Sequence, residues 1–115
     1  MRCLVVDENK SFRNYIKELI ILNNNECMEL DDGINLNSVY REYRPGWVLI
    51  DLQMEKMNGF KAAEKLIEEF PEACIALVSD FYDERLRNKA EKIGAAAFIP
   101  KENLTEKELK TYLYL

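Results

Sequence analysis

The sequence predicts an α/β protein built around a doubly wound parallel sheet, and three observations carry that prediction. Short apolar runs alternate with segments of helical spacing five times along the chain. The runs have the length and β-branched content of strands buried on both faces. Parallel neighbours need a crossover, and the intervening helices supply it. At 115 residues the chain is expected to form one domain, residues 1–115, with one core.

The first strand, Arg2 to Val6, runs straight into two acids, Asp7 and Glu8. A helix capped near Ser11 follows, with Phe12, Ile16, Leu19 and Ile20 on its apolar face, Tyr15 at the margin, and Asn23-Asn24-Asn25 closing it. Cys27 to Leu30 alternates as a short second strand, and Asp32-Gly33 turns into a helix that faces Leu36, Val39, Tyr40 and Tyr43 inward. Pro45-Gly46 stops that helix and starts the run Trp47 to Ile50, which ends abruptly on Asp51. A charge at the tip of a buried strand is costly unless cations or protons share its pocket, so Asp51 is a candidate site residue; the alternative is a residue that merely starts a turn.

The second half repeats the alternation. Gly59 to Phe70 has helical spacing at Phe60, Ala63, Leu66, Ile67 and Phe70, and Pro71 ends it. Cys74 to Val78 is the fourth strand, terminating in Ser79-Asp80; a helix from about Asp83 to Ile93 follows, stopped by Gly94. Ala95 to Ile99 is the fifth strand, ending at Pro100-Lys101, and Thr105 to Leu113 is a last helix with Leu109 and Leu113 on one side.

Composition narrows the function. Hydrophobic residues make up 48% and charged residues 32%, and no apolar run approaches the ~18 residues of a membrane span. A strand begins at once after Met1, with no leader pattern, so a cytoplasmic protein is expected. Cys3, Cys27 and Cys74 lie far apart in apolar segments and are expected to be buried thiols, not a zinc site or a disulfide framework. Histidine is absent, which excludes His-based triads, HExxH zinc sites and phosphohistidine carriers. The net charge of −5 argues against binding nucleic acid through its phosphates.

In a doubly wound sheet, ligands bind beyond the carboxyl ends of the strands. Those ends carry Asp7, Glu8, Asp51, Ser79 and Lys101. Acids gathered in one pocket repel one another unless a cation sits among them, and oxygen-only ligation suits magnesium. Metal, ammonium and hydroxyl together stabilise a phosphoryl group, with Asp51 as nucleophile forming an aspartyl phosphate. The alternative is a solvated acidic rim with Lys101 as an incidental counter-ion.

From Leu4 to about Leu109 the chain resembles a response-regulator receiver domain. The resemblance rests on Asp7-Glu8 after the first strand, Phe12-Arg13 opening the first helix, Pro45 leading into Asp51, Met54 and Gly59 downstream, then Ser79, Phe98 and Lys101 in order. It implies a flavodoxin-like strand order 2-1-3-4-5. It also implies Asp51 as phosphoacceptor, Mg2+ held by Asp7, Glu8, Asp51 and the backbone carbonyl of Gln53, Ser79 and Lys101 on the phosphoryl oxygens, and Phe98 as the switch aromatic. The implied partners are a histidine kinase or phosphotransfer protein docking on the first helix around Phe12 and Ile16, and a downstream target or output domain. A homodimer through the face of the fourth helix, fifth strand and fifth helix is a further arrangement it allows. Such a domain is no enzyme beyond its own phosphorylation and dephosphorylation.

The chain departs from the family pattern at Glu55 and Glu102, where proline is usual, and at Asp80, where a small residue is usual. Pro100 before Lys101 is similar to the receivers of one large class of DNA-binding regulators. Asp80 puts negative charge where an anion must enter, so a non-phosphorylated receiver-like interaction module stands as the alternative function. A haloacid-dehalogenase-type phosphatase is a distant third, because it needs a second acid where Gln53 stands. No linker follows the last helix, which favours a stand-alone regulator.

Overall fold

The computed structural model describes residues 1–113. Five strands, β1 (Arg2–Val6), β2 (Glu26–Leu30), β3 (Trp47–Asp51), β4 (Ile75–Ser79) and β5 (Ala97–Pro100), alternate with helices α1 (Lys10–Leu22), α2 (Leu36–Tyr43), α3 (Gly59–Glu69), α4 (Glu84–Ile93) and α5 (Glu106–Leu113). All strand pairs are parallel and the spatial order is β2-β1-β3-β4-β5, the flavodoxin-like order. Among the described residues no helix is long and apolar enough to cross a membrane.

Strand periodicity divides the core in two, because successive side chains point to opposite faces. Leu4, Val6, Val48, Ile50, Ile75 and Leu77 meet α2, α3 and α4 through Leu36, Tyr40, Phe60, Leu66 and Ala90. Cys3, Val5, Trp47, Leu49, Ala76 and Val78 meet α1 and α5 through Ile16, Ile20, Leu109 and Leu113. Every residue of β3 and β4 is buried, whereas β2 at one edge has exposed Glu26 and Met28.

Several local expectations shift. The α1 cap is Asn9, not Ser11: its side chain accepts from Phe12 N at 3.0 Å, since the helix begins one residue before Ser11. Tyr15 stays largely exposed and sends its hydroxyl to the Leu104 carbonyl at 2.9 Å. Cys3 is buried, but Cys27 and Cys74 are only partly so, because one lies on the edge strand and the other precedes β4. The Asp83 cap of α4 and the Gly94 stop, at φ 95°, fall as expected.

Gly59 fixes where α3 starts. A Cβ there would lie 2.3 Å from the Asp51 carbonyl oxygen and 2.8 Å from Leu52 Cα, inside the backbone of the β3 tip. Only glycine lets the helix approach so closely, and its N–H bonds the Leu52 carbonyl at 3.2 Å. Gly59→Ala is expected to cost about 1–3 kcal/mol of stability, measured by urea unfolding, because backbone rather than a pliable side chain must move.

Candidate functional site

The parallel register brings the strand tips to one edge. Val6 pairs with Ile50, Asp51 with Val78 and Ser79 with Pro100, so Asp7, Asp51, Ser79 and Lys101 follow one another across the carboxyl end of the sheet. Asp7, Asp51 and Ser79 retain only 1%, 4% and 0% exposure. Lys101 Nζ reaches over them, 2.9 Å from Asp7 Oδ2, 3.7 Å from Asp51 Oδ1 and 3.4 Å from Asp80 Oδ1. A groove of about 980 Å3 along α1 and β2 lies elsewhere and holds none of these groups.

The backbone supports each carboxylate differently. Asp7 Oδ1 accepts from Asn9 N at 2.7 Å, while the Asp7 carbonyl accepts from Arg13 Nη1 at 2.6 Å. Arg13 also pairs with Glu29 at 3.0 Å, tying the β1 tip to α1 and β2. Asp7 Oδ2 is buried with no hydrogen-bond donor; its approach to Lys101 is ionic, without the direction of a hydrogen bond. Glu8 accepts a hydrogen bond from Glu55 N. Among the described residues no three acidic, histidine or cysteine side chains are grouped so as to hold a metal ion as they stand.

The side chain of Gln53, named from the sequence only for its backbone carbonyl, joins the site in a way the sequence does not signal. Its Oε1 accepts from Asp80 N at 2.9 Å, which orients the amide so that Nε2 donates to Ser79 Oγ at 3.2 Å. Ser79 Oγ also accepts from Phe81 N at 3.3 Å. Phe12, read from sequence as an apolar helix residue, lies under Lys101 with Nζ 4.3 Å from its ring centroid. Ile16, expected to sit on a docking face, is fully buried under α1, since its spacing aims it at the sheet. Phe98 is half-buried and meets the Tyr82 ring edge-on at 6.4 Å.

Burial, and then repulsion from Asp7, push the Asp51 carboxyl up to about 6 despite the pull of Lys101. For Lys101 burial acts to lower the value, but contact with Asp7, Asp51 and Asp80 outweighs it and the net direction is upward. The pocket therefore has more negative charge than its one ammonium neutralises.

These elements define a doubly wound parallel-sheet fold with an acidic, lysine-bearing carboxyl edge. The response regulator receiver domain model matches residues 3–114, and the chain belongs to that family of two-component signalling modules. Over 104 residues it is 27% identical to the transcriptional regulatory protein DegU of Brevibacillus brevis, covering 89% of this chain but 44% of that protein. It is 29% identical to the chemotaxis protein CheY of Halobacterium salinarum, covering 85% of this chain and 82% of the other. The chain thus spans less than half of the first relative and most of the second. In structure it is similar to the BeF3-activated receiver domain of Klebsiella pneumoniae RstA, with TM-score 0.91, 16% identity and coverage of 99% and 96%, a likeness of fold. Receiver domains as a class are signalling modules that work with histidine kinases and output domains.

The raised Asp51 value sets a pH dependence. Below the ordinary carboxyl value of 3.8 the folded and unfolded chains both hold the proton; between there and about 6 only the folded chain does. Stability should therefore fall as pH rises through that window and stay reduced above it, by about 3 kcal/mol for a two-unit difference. Without divalent metal, Asp51→Asn should stabilise the protein at pH 7.5 in urea unfolding, and the gap should shrink at pH 4.5. An equal gap at both values would mean the carboxylate is not strained by its surroundings.

Proposed function

We propose that this receiver is a phosphorylation switch in which Asp51 accepts a phosphoryl group from the phosphohistidine of a histidine kinase or phosphotransfer protein. The observation that carries the reading is a carboxylate 4% exposed at the end of a central strand, with Lys101 Nζ 3.7 Å away and Ser79 at the neighbouring strand tip. An Asp51 oxygen attacks phosphorus, the bond from phosphorus to the donor nitrogen breaks, and the imidazole leaves with the electron pair. Lys101 and Ser79 take phosphoryl oxygens; Ser79 Oγ accepts from Gln53 Nε2 and Phe81 N, which leaves its O–H proton free to donate.

The donor set fits Mg2+. Asp7 Oδ2 is a buried carboxylate oxygen with no hydrogen-bond partner, faced by the Lys101 ammonium at 2.9 Å, and the candidate ligands at this edge are all oxygen donors. Asp7, Asp51 and the Gln53 carbonyl would hold the ion, with Glu8 joining on release of Glu55 N. Bound there, magnesium supplies positive charge that offsets the excess of carboxylates and the charge of the phosphoryl oxygens.

The donor protein would dock on α1, where Tyr15, Ile21 and Leu22 are exposed. The readout would lie on α4, β5 and α5, where Phe98 lines a recess of about 350 Å3 with Arg87 and Ala90. A downstream target, an output domain or a second copy is the partner expected there. A non-phosphorylated interaction module is the second reading, favoured by Asp80 standing 3.4 Å from Lys101 where an anion would enter.

Incubation with acetyl phosphate and magnesium should add one base-labile phosphoryl group by mass spectrometry, and Asp51→Asn should remain unmodified. Equal labelling of the variant, or none of the parent, contradicts the assignment.

A further inference from the structure

The Lys101 ammonium has three N–H donors, and three carboxylates face it: Asp7 at 2.9 Å, Asp80 at 3.4 Å and Asp51 at 3.7 Å. An anion arriving at Asp51 competes with these carboxylates for the one ammonium, and the least firmly held of them is the one to yield. Asp7 is poorly placed to do so, because its side chain is 2% exposed and its other oxygen takes the Asn9 N–H at 2.7 Å. Asp51 itself carries the incoming group. Asp80 differs from both. Its side chain is 57% exposed on the loop between β4 and α4, and its carboxylate has no partner besides Lys101 among the described residues.

We propose that Asp80 stands in for the phosphoryl group at Lys101: its carboxylate helps to neutralise the ammonium while Asp51 is bare, and an anion at Asp51 expels it. The proposal rests on the reading of Asp51 as acceptor and makes Asp80 the residue that sets how readily the site admits small anionic donors. Displacement has a defined pivot. The Asp80 N–H bonds Gln53 Oε1 at 2.9 Å, so the side chain swings about an anchored amide. The next two residues, Phe81 and Tyr82, are exposed, and the Tyr82 ring touches Phe98 edge-on. Expulsion of the carboxylate therefore acts within two residues of the aromatic pair on the readout face.

Beryllofluoride, titrated at saturating magnesium into the parent, Asp80→Asn and Asp80→Ala and followed by 1H–15N spectra, tests this. Both variants should bind roughly fivefold more tightly at low ionic strength, the size of effect expected for one carboxylate a few ångströms from the anion. Added salt should narrow the difference. Before any ligand is added, the Phe81 and Tyr82 amide resonances of the variants should already be displaced toward their positions in the liganded parent. Equal affinity in all three proteins, or unliganded resonances of Phe81 and Tyr82 identical to the parent's, overturns the role of Asp80 and leaves Asp51 as acceptor intact. Failure of all three to bind beryllofluoride overturns both.

Discussion

One ammonium set among carboxylates governs the carboxyl edge of this sheet. Asp7 and Asp51 sit almost wholly out of water at adjacent strand tips, where charge is expensive, and Lys101 is the cation that reaches them. The compensation is incomplete, which is why burial and Asp7 together hold the Asp51 carboxyl near 6. An edge short of positive charge has affinity for a cation, and so the same imbalance that strains the bare protein favours a metal. The fold tolerates the strain because β3 is buried throughout and β1 from Cys3 onward, each packed on both faces.

Positioning comes from contacts that cross between elements. Arg13 bonds the Asp7 carbonyl and pairs with Glu29, fastening β1 to α1 and β2. Phe12 gives Lys101 an aromatic face to rest on, and Gln53 spans from the β3 tip to Ser79 and Asp80 beyond β4. Each of these residues acts on a neighbour's placement more than on a ligand. Together they make the tips of β1, β3 and β4 one connected polar assembly above two apolar layers.

The fold was legible because β3 and β4 are apolar up to their last residue, and Pro45-Gly46, Pro71 and Gly94 punctuate the helices around them. Strand ends were less legible. Cys74 and Ala96 look like strand residues, and Cys74 O and Ala96 N do bond Val48 and Ile75 at 2.9 and 2.8 Å, yet the regular ladders begin one residue later. Where a ladder begins depends on the partner strand, which composition does not encode. The grouping of Asp7, Asp51, Ser79 and Lys101 followed from topology, since each ends a parallel strand. Glu8, which caps Glu55, and Gln53, whose side chain crosses to β4, did not follow, because those contacts depend on loop paths. Ile16 shows the same limit, since helical spacing gives a shared face but not which partner covers it.

Gly59 has a mechanical consequence. With α3 pressed against the Asp51 carbonyl, one wall of the pocket is backbone on backbone and cannot give. The turn after Ser79 is exposed and is fastened by side-chain hydrogen bonds and an ion pair that can be exchanged singly. A push generated at Asp51 meets a stop at α3 and a compliant strut at that turn. A displacement at Asp51 would therefore be taken up by the turn after Ser79, because Gly59 leaves the start of α3 no room to move.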